Sequence, residues 1–133
     1  MNERRIARLQ ELIKARAAEV IDRELSDPRA SGLITVTRVE LDREMMSCKI
    51  SWSVYGNETQ RRLSSQALEA ARGFVQREIG KVLHTRTVPR VSFVFDESIE
   101  ESIRLDQIFR ELREQRGESE PSDDSEEPPD AGA

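Results

Sequence analysis

The sequence holds one cysteine, Cys48, and one histidine, His84. A lone cysteine excludes a disulfide within the chain and fits a reducing compartment. A lone histidine with no second thiol or imidazole excludes the usual zinc donor sets. No apolar run approaches the roughly 20 residues that span a bilayer. The N-terminal stretch MNERRIARLQ is polar and lacks a signal-peptide apolar region, so the expected location is cytoplasmic, with no membrane partner. Catalytic signatures are missing as well: there is no Walker-type phosphate loop, no nucleophile elbow and no metal-ligand spacing. His84 is expected on an exposed helix face, without the desolvation or orienting partner a general base needs. Neither an enzyme nor a cofactor is expected.

What is abundant is charge, and it is unevenly spread. The chain of 133 residues carries 21 Lys and Arg against 26 Asp and Glu, a net charge of −5. From Gly117 to Ala133 there are seven acidic residues, three prolines and no basic residue. With almost nothing apolar to bury, that stretch cannot offset the entropy of ordering its backbone. We expect a domain over 1–113 and a disordered acidic tail over 114–133. All 21 basic residues precede Gly117 and face the 19 acidic ones left there, so residues 1–116 carry net +2. The acidic total therefore does not exclude a nucleic-acid partner.

Periodicity supplies the elements. Ile6, Leu9, Leu12, Ile13, Ala17, Val20 and Ile21 recur at three- and four-residue intervals, predicting a helix over roughly 3–25, capped by Asn2 and stopped before Pro28. LITVTRVEL and MSCKISWSVY, joined by a turn-like DRE, read as a β-hairpin. In the second strand Cys48, Ile50, Trp52 and Val54 share one face. In the first the apolar phase switches from Ile34 and Val36 to Val39 and Leu41, which one extra residue near Thr37–Arg38, a β-bulge, reconciles. After Gly56 and Asn57, Leu63, Ala67, Ala70, Ala71 and Phe74 follow helical spacing, as do Val75, Ile79, Val82 and Leu83. Gly73, costing about 1 kcal/mol inside a helix, separates the two groups. It predicts two helices, about 58–71 and 73–85, bent at Ala71-Arg72-Gly73. VSFVF at 91–95 is a third strand with Val91, Phe93 and Phe95 inward. Ile99, Ile103, Leu105, Ile108, Phe109 and Leu112 suggest a last helix. The order α-β-β-α-α-β gives an α+β domain, a three-stranded sheet with helices packed on one face.

Five stretches of this sequence resemble the ribosome-binding factor A family of bacterial small-subunit assembly factors, with a type II KH-like fold (α-β-β-α-kink-α-β). They are Arg23-Glu24-Leu25-Ser26-Asp27-Pro28-Arg29, Thr35-Val36-Thr37-Arg38-Val39, the run from Ala71 to Lys81, Thr87-Val88-Pro89, and Phe93-Val94-Phe95-Asp96-Glu97-Ser98. The likeness runs from about Arg8 to Leu105. Ordinary KH domains clamp RNA backbone through a GXXG loop. Here that motif is missing, and Ala71-Arg72-Gly73 is similar to the family's Ala-X-Gly kink. The resemblance implies a monomer that binds the free 30S ribosomal subunit and 16S rRNA, with its precursor, during late assembly. It further implies assistance to 5′-end maturation, support of growth in the cold, and release by an assembly GTPase.

The residues expected to carry RNA contacts are cationic, because phosphate-directed donors dominate such affinity. Arg72 lies in the junction. Arg77, Lys81 and His84 project from the polar side of the following helix, with Gly80 leaving room for close approach, and Arg86 and Arg90 follow in the loop. Arg4, Arg5 and Arg8, unfavourably placed for the helix dipole, form a second candidate group. The plain alternative for each is a solvated charged face. Cys48, Trp52 and Phe93 read as core, and Asp27-Pro28-Arg29 as a helix stop. Two rival functions remain at this point: a general KH-type RNA-binding module with non-ribosomal targets, and a protein-interaction adaptor working through the acidic tail and helix faces. Deleting 117–133 is expected to leave the melting temperature nearly unchanged in a thermal melt; a large drop would refute the tail reading.

Overall fold

The computed structural model describes residues 2–30 and 32–117, and of residues 99 and 100 the backbone alone. Most of the acidic stretch, 118–133, lies outside the described residues. The chain divides into two units, Met1–Asp96 and Glu97–Ala133, each taken by itself. The first holds α1 (Glu3–Glu19), β1 (Leu33–Leu41), β2 (Ser47–Tyr55), α2 (Glu58–Leu83) and β3 (Arg90–Phe95). The second holds α3 (Ser98–Gln115), so the domain boundary expected after residue 113 falls inside a helix.

Local chemistry sets the ends of these elements. Asn2 caps α1, its Oδ1 accepting from the Arg5 N–H at 2.8 Å. Beyond Glu19 the helix loosens into a π-helical turn, Val20–Glu24, before Asp27 and Pro28 stop it. The hairpin turn is held by Asp42, whose Oδ1 accepts from the Met46 and Ser47 N–H groups at 2.7 and 3.0 Å. Gly56 ends β2 at φ +144°, where a Cβ would lie 2.9 Å from the Gln60 Cβ, so glycine is required there. Asn57 then caps α2, accepting from the Gln60 N–H at 2.9 Å.

The sheet has the order β1-β2-β3. β1 and β2 pair antiparallel, with the register shift between Val36 and Arg38. Thr37 is the extra residue, and it lets Val36 on one side and Val39 and Leu41 on the other all reach the core, as the phase switch required. β3 pairs parallel to β2, from Ser47 opposite Arg90 to Trp52 opposite Phe95. α1 and α2 pack against the sheet and each other. Ile13, Val20, Ile50, Trp52, Leu68 and Val91 are essentially solvent-free in the core between them. Cys48 is fully buried, as expected; Phe93, expected in the core, is only half-buried against it, and Leu12, assigned to the apolar face, is 43% exposed.

One expectation fails. Ala71-Arg72-Gly73 does not separate two helices: α2 is one helix of 26 residues that runs through Gly73. The physical reason lies in phase. Ser64, Ala67, Leu68, Val75, Ile79 and Leu83 are its buried residues. Leu68 and Val75 are seven residues, two turns, apart, so both halves present their apolar sides in one direction and packing requires no break. Gly73 is exposed, and a Cβ there would meet only the Arg77 Nη1, at an ordinary 3.6 Å. Its helix propensity cost of about 1 kcal/mol is outweighed by the seam on the opposite side. Gly73→Ala is therefore expected to stabilise the protein by about 0.5–1 kcal/mol, read as a raised denaturant midpoint. A lowered midpoint would mean that α2 needs glycine for a bend at 73.

Candidate nucleic-acid interface

The unburied side of α2 is a stripe in which Arg62, Gln66, Glu69, Gly73, Arg77 and Lys81 recur every three or four residues, all exposed. The cations on α2 are not equivalent. Arg72 approaches Glu69, Nε to Oε2 at 4.0 Å, and Lys81 donates to Glu78 Oε2 at 2.8 Å. Among the described residues Arg62 and Arg77 have no acidic partner. Arg77 lies back along the helix, its Nη1 beside the bare backbone of Gly73.

Glu78 is the pivot of this side. Its side chain is only 12% exposed, and while Oε2 takes Lys81, Oε1 accepts from the Arg16 Nη2 at 2.5 Å. Arg16 also binds Glu19 and, through the π-helical turn, Glu24 at 2.6 Å. Hydrogen bonds from Lys81 and Arg16 hold the Glu78 carboxyl below the usual carboxylate range. The bonds to Glu24, Glu78 and Glu19 raise the Arg16 guanidinium further above its ordinary value. The cluster locks the end of α1 to α2 and commits Arg16 to structure.

α2 ends at Leu83, so His84 is not on the helix face as expected but caps it in the left-handed conformation, φ 52°. The neighbouring expectation for Gly80 also changes. A Cβ there would sit 2.7 Å from the Val88 Cγ2, so the space is filled by the protein's own loop rather than left for RNA. Val88 and the buried Pro89 thereby pin the loop that carries Arg86. Arg86 and Arg90 are exposed and, among the described residues, without an acidic partner.

Topology then joins what the sequence kept apart. The Arg90 N–H donates to the Met46 carbonyl at 3.0 Å, placing the start of β3 beside the β1–β2 turn. The Leu41 N–H donates to Gln10 Oε1 at 2.9 Å, and Arg43 in that turn donates to Glu3 at 2.9 Å, placing the start of α1 at the same end. Arg4, Arg5 and Arg8, all exposed, thus stand at the pole of the sheet that Arg90 also occupies. Arg43, missed in the sequence, belongs to this pole; the hairpin turn flanked by α1 was the signal. Its bond to Glu3 joins side chains 70% and 85% exposed and restrains it little. Arg29, by contrast, is gripped by both carboxylate oxygens of Asp27, with Nη2 to Oδ2 at 2.7 Å, which also lowers the Asp27 pKa.

Burial, with a smaller contribution from Asp42, pushes the Cys48 thiol up to about 12, far from a thiolate. Among the described residues no three acidic, His or Cys side chains cluster to hold a metal ion, and no helix is long and apolar enough to cross a membrane.

Residues 5–109 match the family model described as ribosome-binding factor A. A ribosome-binding factor A from Thermodesulfovibrio yellowstonii is 42% identical over 110 residues, 83% of this chain and 92% of that one. One from Thermomicrobium roseum is 37% identical over 112 residues, 84% and 86% of the two chains. The crystal structure of ribosome-binding factor A from Thermus thermophilus is similar with a TM-score of 0.59 at 26% identity, covering 68% of this chain and 93% of that one. A homology model of the Thermus thermophilus factor, fitted into a cryo-EM map of its complex with the 30S subunit, gives a TM-score of 0.56 at 25% identity over 69% and 96% of the chains.

The Glu78 cluster has a pH signature. A carboxylate with a depressed folded pKa adds stability that is present above its unfolded pKa and is lost as pH falls through the folded one. Melting temperature is therefore expected to fall as pH drops below about 4, and Glu78→Gln should flatten that decline. An identical pH slope in wild type and variant would show that the cluster carries no such linkage.

Proposed function

The chain belongs to the ribosome-binding factor A family, and from that premise we propose that it binds the free 30S ribosomal subunit through 16S rRNA during late assembly. The observation that carries this reading is the set of exposed cations without acidic partners among the described residues, Arg77 on α2 and Arg4, Arg5, Arg8, Arg86 and Arg90 around the start of β3. They sit on elements fixed by a packed core and a capped turn, so little ordering entropy is lost on docking. Guanidinium groups so held suit phosphates of RNA already folded, recognised by shape and backbone. Arg72 and Lys81 contribute after leaving Glu69 and Glu78.

The mechanism is differential binding. Subunit conformations that present the complementary phosphates are stabilised at the expense of those that do not, which biases the assembling RNA toward maturation. Within that role the chain assists formation of the 5′ end from precursor 16S rRNA, supports growth in the cold, where misfolded RNA escapes slowly, and is released by an assembly GTPase.

The test is co-sedimentation of the tagged protein with purified 30S subunits at low and high salt. Wild type should bind, and binding should weaken steeply with salt. Arg77→Glu with Arg86→Glu should abolish co-sedimentation while leaving the thermal melt nearly unchanged. Binding that survives this double change would show that the surface is misassigned. Salt-insensitive, nuclease-resistant association would point instead to a protein-interaction adaptor.

A further inference from the structure

The second unit carries a surface that the RNA-binding reading leaves unused. The sequence of α3 is largely polar, but one apolar line crosses it. Leu105, Ile108, Phe109 and Leu112 recur at three- and four-residue steps and so share one side of the helix. All four are exposed, by 52, 43, 55 and 43% respectively. Ile103 falls on the opposite side and does not belong to the line. An isolated helix of 18 residues is only marginally stable in water, so α3 gains most from whatever covers this line. Charges frame it. Glu101, one turn before Leu105, and Arg116, one turn after Leu112, close its two ends. Arg104 and Glu111 border it on one flank, Asp106 and Arg113 on the other. Among the described residues none of these six charges has an ion-pair partner.

We propose that α3 pairs antiparallel with α3 of a second copy of this chain, forming a two-fold symmetric dimer. The order of residues along α3 is complementary to its own reverse. With the two-fold axis between Ile108 and Phe109, Ile108 lies opposite the partner's Phe109 and Leu105 opposite the partner's Leu112. Every apolar residue of the line then meets another. The same reversal sets Glu101 opposite the partner's Arg116. In an antiparallel helix pair each flank meets its own counterpart. Arg104 therefore comes beside the partner's Glu111 on one side, and Asp106 beside the partner's Arg113 on the other. A parallel pair in register would instead oppose Glu101 to its own copy and Arg116 to its own copy. Exposed ion pairs of this kind fix orientation more than strength, and the apolar line supplies the attraction. A nucleic acid or an anionic lipid surface suits α3 less, because acidic residues outnumber basic ones five to three in Ser98–Gln115. The contact is short, so the dimer is weak and forms as concentration rises. It departs from the single copy that the family resemblance implies, and it does not rest on the RNA-binding reading.

Sedimentation equilibrium of the full-length protein over about a hundredfold range of concentration tests this. The apparent mass is expected to rise with concentration toward twice that of one chain. Leu105→Glu with Leu112→Glu should hold it at one chain throughout. Arg104→Glu alone, or Glu111→Arg alone, turns attraction into repulsion across the pair and should weaken dimerisation about tenfold. The two changes together restore opposite charges and should return the wild-type association. A variant that merely unfolds α3 would not be rescued in this way. A mass that stays at one chain at every concentration overturns the proposal, whatever else then covers the line. A dimer that survives Leu105→Glu with Leu112→Glu overturns the role of α3. A dimer weakened by the single charge changes and not restored by the double change overturns the antiparallel pairing.

Discussion

The seam that α2 buries is the constraint on which the rest of the molecule depends. Six residues, Ser64, Ala67, Leu68, Val75, Ile79 and Leu83, press a single side of the helix against the sheet and α1. Once that line is fixed, everything on the opposite side is fixed with it, since a helix turns 100° per residue and permits no independent choice. Arg62, Gly73 and Arg77 face outward because Leu68, Val75 and Ile79 face inward. A break at Gly73 would have freed the two halves to aim separately. Without it, the outward stripe is one rigid array running the length of the helix.

Rigidity alone does not say which cations are available; the Glu78 carboxylate decides that. Nearly buried, it takes one donor on each oxygen, Arg16 from α1 and Lys81 from its own helix. A carboxylate so placed must be paired. Arg16 is therefore structural despite its charge, and the same holds for Arg29 over Asp27. What remains for a polyanion are the arginines that, among the described residues, have no acidic partner: Arg77, Arg86, Arg90 and those at the start of α1. The net charge of the chain, −5, says nothing of this division.

Much of the fold was legible because it is written in local chemistry. The Asn2 cap, the stop at Asp27-Pro28 and the inward phase of Trp52 each follow from a residue and its near neighbours. Even the bulge at Thr37 was readable, since a strand with one buried face cannot change phase without an extra residue. The misreadings arose where distant residues decide. Gly73 looked like a break on propensity alone, but the phase of Leu68 and Val75 across it argued for continuity and was available in the sequence. Gly80 looked open, and only the packed loop shows Val88 occupying the space. The gathering of Arg4, Arg43 and Arg90 at one pole depends on β3 running parallel to β2, which no local pattern encodes. The Arg61–Phe95 stack joins residues 34 positions apart and has no sequence signature at all.

The unbroken helix changes how the surface should work. A hinged pair of helices could adapt to RNA of several shapes, at the cost of ordering the hinge each time. A single helix adapts less, and the exposed glycine in its outward stripe leaves bare backbone between Glu69 and Arg77, where on the proposed function a phosphate ridge can come close. Arg77, lying across that bare turn, needs only to lift. Lys81 must first leave Glu78, so part of its attraction to a phosphate replaces an attraction already present. On the proposed function the arginines would therefore supply most of the net electrostatic gain. On the proposed function shape would supply the selectivity, because a continuous helix surface favours the RNA conformations that already match it.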